Sequence, residues 1–426
     1  MTEGTFAVIA LLVLGWAVTS GPLSRVNING PLLFTAAGYV LANPDWGPLP
    51  VDFEAPSIHL IAELTLALLL FADASRVSIA EIKRDVRFPV RLLGIGLPLS
   101  VVLGSLLAAW LLDDVTWALA GFVGATLAPT DAALSAQVIN DERIPMRIRR
   151  VLNVESGLND GIVTPVVAFT LAVVATELGM AGHHDPHGGG ALLEVAIGIA
   201  VGIALGLGSA FLLTHGSRRN WIVAGGRRLG ALGAALSSFA LAVALDGNGF
   251  IAAFVAGMAF GAGWKDDSVS VEEVGELPEL LGEVLAFVVW FLFGAVLVPV
   301  AFDNFGLAVL FYALLSLTIV RLLPVALSLL GAGLDRGTVL FIGWFGPRGL
   351  ASVVFALLAV EELGETPVVV PAIAAVSLTV LLSVVLHGIS AGPLGTRYVR
   401  FEEEEADKAA HGPRSRRSGH HTEEPR

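Results

Sequence analysis

Carboxylates set within apolar runs long enough to cross a bilayer are costly, and they mark function by default. The stretch from Gly121 to Phe169, GFVGATLAPTDAALSAQVINDERIPMRIRRVLNVESGLNDGIVTPVVAF, holds three: Asp131, Glu155 and Asp160. Its first apolar segment is broken at Pro129-Thr130-Asp131. A short basic loop follows, and then a second apolar segment carries Glu155, Ser156, Asn159 and Asp160. On a helix, Glu155 and Asn159 share one face, and Ser156 and Asp160 share the neighbouring stripe. Gly157 and Gly161 form the next stripe, where another helix can approach closely. Asp131 is expected to meet Asp160 across that contact. Two carboxylates, the Thr130 and Ser156 hydroxyls and freed backbone carbonyls would make an all-oxygen site, the ligand type that hard cations prefer. The competing reading of these acids is a polar helix–helix contact that only holds a bundle together.

The elements that must position these residues follow from composition. Of 426 residues, 55% are hydrophobic and 15% charged, against about a quarter charged in a soluble globular chain. This is a polytopic, all-α membrane protein by composition. The net charge of -13 resides in loops and a terminal FEEEE run, where it reads as solvated charge and not as a nucleic-acid surface. Cysteine is absent, which excludes disulfides and thiolate metal sites. The start, MTEGTFAVIALLVLGWAV, lacks a basic lead and a small-residue cleavage pattern and is read as the first span. Apolar runs of about 17 to 25 residues give about thirteen spans, the fifth near 115–137, the tenth near 281–300 and the twelfth near 337–360.

Basic residues test that count, because short cytoplasmic loops are enriched in them. Arg76, Lys83, Arg84, Arg87 and Arg91 follow the third span; Arg143, Arg147, Arg149 and Arg150 follow the fifth; Arg218, Arg219, Arg227 and Arg228 follow the seventh. The alternate loops hold Asp45, Asp52, Glu54, Asp113, Asp114, Asp185, Glu361, Glu362 and Glu365 and no lysine or arginine. The N-terminus is therefore expected outside and the C-terminal tail in the cytoplasm. Only Arg321 and Arg348 remain at membrane depth. The segment 177–190, with three histidines, is read as a solvated outer loop and not as a metal site.

Spans four to six and eleven to thirteen run in opposite senses, as two inverted three-helix units would. Their middle members share breakers: Gly121, Gly124 and Pro129 beside Asp131, and Gly343, Gly346, Pro347 and Gly349 around Arg348. Such breakers are tolerated at membrane depth only where protein or water satisfies the freed backbone, so the paired interruptions predict a central crossing. Arg348 is expected to be the counter-charge of Glu155, and Arg321 to form a structural pair or snorkel. Glu63, in the third span, is assigned equally to the site or to bundle stability. Asp73 is expected to be solvated or paired with Arg76, and Glu283 to reach water. Gly198, Gly202 and Gly206 form a close-packing face, within the bundle or against a second subunit.

With APTD, VESGLNDG and GPRG in this order, the chain resembles the NhaP-type sodium/proton antiporters of the monovalent cation/proton antiporter superfamily, over about residues 5 to 395. The resemblance implies a thirteen-helix homodimer in the plasma membrane that exchanges Na⁺ or Li⁺, sometimes K⁺, for H⁺, with no cofactor. It implies dimerisation spans in 1–88 and 191–300 and a moving core built from 89–176 and 305–390. Residues 396–426 are expected to be a disordered tail. By motif, Asp160 is the ion-binding and proton-accepting residue, Thr130, Asp131 and Ser156 are co-ligands, and Glu63 is a further third-span glutamate. Glu155, Asn159 and Arg348 are the stabilising cluster. The usual Thr-Asp-Pro is Thr130-Asp131-Ala132 here, with the proline moved to position 129. The Asn159-Asp160 pair resembles the electroneutral branch and suggests one proton per cation. A K⁺-selective antiporter, a cation channel and an intramembrane enzyme are the alternatives. Inverted repeats around a midplane site weigh against the channel, and no nucleophile–base pair is present for the enzyme.

Overall fold

A computed structural model describes residues 3–25, 27–49, 56–77, 87–180, 189–266, 268–364 and 366–410. Among the described residues every regular element is helical, and nine helices are long and apolar enough to cross a membrane. These are Glu3–Ser24, Ile58–Arg76, Arg87–Leu111, Met146–Glu177, Gly190–Arg218, Ala224–Ala244, Glu276–Asp303, Leu307–Ser328 and Val370–Glu404. Shorter apolar helices at Gly30–Leu41, Trp117–Thr126 and Gly249–Gly263, with the broken pair Arg336–Trp344 and Leu350–Leu363, complete thirteen segments in chain order. The chain is thus a helical integral membrane protein with the segment count expected from the sequence.

The short helices begin at side-chain caps, which satisfy backbone N–H groups that a first turn leaves unpaired. Asn29 accepts from the Leu32 amide at 2.9 Å, Thr116 from Leu119 at 3.2 Å, Asn248 from Ile251 at 3.0 Å and Asp335 from Thr338 at 2.8 Å. Two further helices are distorted by proline. The turns Leu92–Gly96 and Phe293–Leu297 are π-helical and lie just before Pro98 and Pro299, whose rings cannot accommodate the carbonyl four residues earlier.

The fifth segment unwinds after Thr126 and resumes only as the short helix Ala136–Ile139; the twelfth is interrupted between Trp344 and Leu350. Each break satisfies the other's backbone. The Asp131 amide donates to the Pro347 carbonyl at 2.9 Å, and the Ser352 hydroxyl donates to the Thr126 carbonyl at 2.6 Å. This reciprocity is how unwound chain survives in a region without water.

Close packing of small residues sets the remaining arrangement. A Cβ at Gly198 or Gly202 would lie 2.7 Å from the carbonyl oxygens of Asn248 or Ala252, so this stripe of the seventh segment packs on the ninth within the same chain. The ninth in turn seats Gly257 and Gly261 on the backbone of Phe71 and Ser75 in the third.

The last helix departs from expectation. It runs from Val370 to Ala410, so the stretch from 396, expected to be disordered, is helical as far as 410. The cause is a pair of aromatic residues one turn apart in an otherwise polar run. Tyr398 is buried, stacks on Phe341 with ring centroids 4.0 Å apart, and hydrogen-bonds Thr338 at 2.9 Å, while Phe401 joins the same cluster. Residues 411–426, the loop at 181–188 with its histidines, and Lys83 and Arg84 lie outside the described residues.

Candidate functional site

The oxygen cluster begins in the unwound part of the fifth segment. Thr130 Oγ1 accepts from Asn159 Nδ2 at 2.7 Å and lies 3.0 Å from Ser156 Oγ. All three residues are buried. Because Ser156 and Asn159 sit three apart on the sixth segment, both reach a single hydroxyl of the broken chain.

Asp131 is held by backbone donors from both broken segments. One carboxylate oxygen accepts from the amides of Ala133 at 2.7 Å and Leu134 at 3.3 Å; the other accepts from Leu350 at 2.9 Å. Leu350 opens the second half of the twelfth segment, where the helix dipole favours negative charge. Gly349 is required here, since a Cβ would run into the Asp131 carboxylate. Asp131, Ser156 and Asp160 line one cavity of about 250 Å³, together with Asp73, Glu279 and Glu283. The cavity reaches the surface at Asn140, Asn153 and Glu283, all exposed, and Asp160 is half-buried in its wall.

Among the described residues, Arg321 and Arg348 are the buried arginines. Their partners correct the sequence reading. Glu155 pairs with Arg321, not Arg348, through a two-pronged contact of 2.6 and 2.9 Å, and Arg321 Nε also donates to the Gly343 carbonyl at 3.3 Å. Room for this guanidinium comes from Gly346, where a Cβ would strike it. Arg348 instead donates to the carbonyls of Ala128 and, at 3.1 Å, Pro129. Its own amide donates to Ser383 at 2.7 Å. A guanidinium aimed at the carbonyl end of the first half-helix meets that helix's negative pole, so Arg348 stabilises the break and not the carboxylate.

Glu63 is not brought to this cavity. It lines a second one, of about 400 Å³, with Glu194, Asn248, Glu361, Glu362 and Thr164. Ten residues separate Glu63 from Asp73 on one helix, about 15 Å of rise. Thr164 lies one turn from Asp160, so the two cavities approach Asp160 from opposite ends. Between them Leu66, Val163, Phe254, Val354 and Phe355 are buried in one apolar cluster, with Gly161 pressed against the Phe254 ring.

Asp73, Arg76 and Glu279 are cavity residues that sequence reasoning undervalued. Arg76 makes a two-pronged contact with Glu279, and Asp73 faces Gly157. The available signal was the four-residue spacing of Glu279 and Glu283, which puts both on one helical face. The tenth helix starts at Glu276, earlier than the apolar run indicates.

The family described as "Sodium/hydrogen exchanger, transmembrane" matches residues 8–397. The chain belongs to this family. It is 26% identical over 362 residues to the K⁺/H⁺ antiporter NhaP2 of Shewanella sp. (strain ANA-3), covering 83% of this chain and 60% of that protein. It is 28% identical over 365 residues to the Na⁺/H⁺ antiporter NhaP of Pseudomonas aeruginosa, covering 81% of this chain and 82% of the relative. The chain therefore spans about three fifths of the length of the K⁺/H⁺ relatives it matches. Its fold resembles that of the sodium proton antiporter MjNhaP1 from Methanocaldococcus jannaschii, with a TM-score of 0.73 and 20% identity over 92% of this chain and 98% of that one.

Proposed function

We propose that the chain is a secondary antiporter exchanging a monovalent cation, Na⁺, Li⁺ or K⁺, for H⁺ by alternating access, with Asp160 as the shared binding residue. The observation that carries this reading is the convergence of Asp131, Ser156 and Asp160 on one cavity at the crossing of two broken helices. The cation binds at Asp160 with Asp131, Thr130 and Ser156 as co-ligands, an all-oxygen set suited to a hard cation. A proton on Asp160 removes the charge that attracts the cation, and a bound cation opposes protonation, so each ligand displaces the other. The core moves readily with the site neutralised, whereas a bare carboxylate crossing the apolar layer would cost several kcal/mol. Glu155, Arg321, Asn159 and Arg348 hold the frame. One titrating carboxylate per site gives one proton per cation and electroneutral exchange.

The family relatives carry both K⁺/H⁺ and Na⁺/H⁺ in their names, so both cations belong in the test. The working unit in this reading is a homodimer in the plasma membrane. Spans within 1–88 and 191–300 form its interface, the units 89–176 and 305–390 form the moving core, and the N-terminus lies outside with the tail in the cytoplasm. Purified protein in vesicles carrying a set pH gradient should couple Li⁺, Na⁺ or K⁺ flux to proton flux. Asp160→Asn should abolish exchange while the protein still folds. Exchange that survives Asp160→Asn, or cation flux with no opposing proton flux, would defeat the reading.

A further inference from the structure

The eleventh, twelfth and thirteenth segments leave a groove of about 450 Å³ at the end of the molecule bearing Arg336 and Arg397, sharing no lining residue with the Asp160 cavity. Leu322, Leu340, Phe341, Trp344, Leu394 and Tyr398 line it. Leu340 is 59% exposed, and Leu323 and Leu327 on the eleventh segment are 44% and 46% exposed, so the groove opens on an apolar surface of the kind a membrane-spanning bundle turns to lipid. Phe401 closes one end by sitting against Gly337, where a Cβ would lie 2.9 Å from its ring.

The rim has the opposite chemistry. Arg397 lines the groove, Arg336 precedes Gly337 at its mouth, and Arg400 lies one turn beyond Arg397. All three are exposed, and among the described residues none has a hydrogen-bond or ion-pair partner. Of the neighbouring acids, Asp335 accepts from Thr338 and Glu402 accepts from Tyr398 and Thr338, while the exposed Glu403 and Glu404 follow Arg400 by three and four residues on the same helix. From Arg336 to Trp344 the groove follows eight residues of helix, about 12 Å into the apolar region.

We propose that this groove binds an anionic phospholipid, with its phosphate at Arg397, Arg336 and Arg400 and one acyl chain along Leu340, Trp344 and Leu394. Guanidinium groups match phosphate geometry, and basic residues at the membrane surface attract anionic headgroups. A soluble anion would leave the apolar walls unused, and a zwitterionic lipid would bring its phosphate together with a cationic headgroup that opposes the three guanidinium groups. Both ligand halves are needed to account for both surfaces.

The test uses full-length, delipidated protein in detergent, titrated with phosphatidylglycerol or phosphatidylcholine and read by native mass spectrometry. Phosphatidylglycerol should be retained in preference. Each of Arg397→Gln and Arg336→Gln should weaken that retention roughly fivefold, and Leu394→Trp, which fills the groove, should abolish it. Arg397 is exposed and unpaired, so its replacement should leave the lipid-free melting temperature unchanged. Equal retention of the two lipids, or phosphatidylglycerol retention unaltered in Arg397→Gln, would overturn the proposal. Displacement of the lipid by glycerol 3-phosphate at equal concentration would overturn it in favour of a soluble phosphate.

Discussion

The fifth and twelfth segments are broken at the same crossing, yet their breaks carry different cargo. The first presents oxygen: the Thr130 hydroxyl and the Asp131 carboxylate. The second presents donors and positive charge: the Leu350 amide toward Asp131, and Arg348 toward the carbonyls of Ala128 and Pro129. One repeat presents the oxygens proposed as ligands and the other holds them in place. The two buried arginines divide in the same way, since Arg321 neutralises a carboxylate whereas Arg348 caps a half-helix. Inverted symmetry in the backbone therefore does not require symmetry in the chemistry.

That division of labour can be broken from either side. Asp131→Asn strikes the ligand-bearing break and should reduce exchange in proteoliposomes to background, while the protein remains folded; a mild defect would move Asp131 to the supporting side. Removing one member of the Glu155–Arg321 pair strands the other as a buried charge, a loss of about 3 to 5 kcal/mol. Glu155→Ala and Arg321→Ala should thus lower melting temperature sharply and to a similar extent. Gly349→Ala pushes on the Asp131 carboxylate from the supporting break and should raise the KM for cation about tenfold, about 1.4 kcal/mol, with a smaller effect on stability. Glu63→Gln lies in the other cavity and should change exchange by less than about twofold, within about 0.5 kcal/mol.

Much of the first break was readable in the sequence because a carboxylate in an apolar run is conspicuous, and the spacing of Glu155, Ser156, Asn159 and Asp160 assigns their faces. Pairing was not readable. Arg321 and Arg348 lie at similar depth with one buried glutamate between them, and the choice depends on which glycine leaves space: Gly346 admits the Arg321 guanidinium. Depth along the third helix was also ambiguous. An apolar run locates a span but not the cavities along it, so Glu63 was left between the site and bundle stability and Asp73 at the membrane end, whereas Glu63 lines the second cavity and Asp73 the one that holds Asp160. The helix beyond 396 was hidden because two aromatic residues, Tyr398 and Phe401, hold it through contacts far away in sequence.

The central claim is that one residue, Asp160, takes either a cation or a proton. Proton release on cation binding, measured by calorimetry on the purified protein in buffers of different ionisation enthalpy, tests it most directly. The account predicts that proton release per cation bound rises from none where the free site is fully ionised toward one as the pH falls, with apparent affinity falling by up to about tenfold per pH unit as protons compete. It also predicts that Asp160→Asn releases none. Cation binding to the wild type with no proton released even as the pH falls, or with an affinity unchanged over about two pH units of that fall, would contradict it.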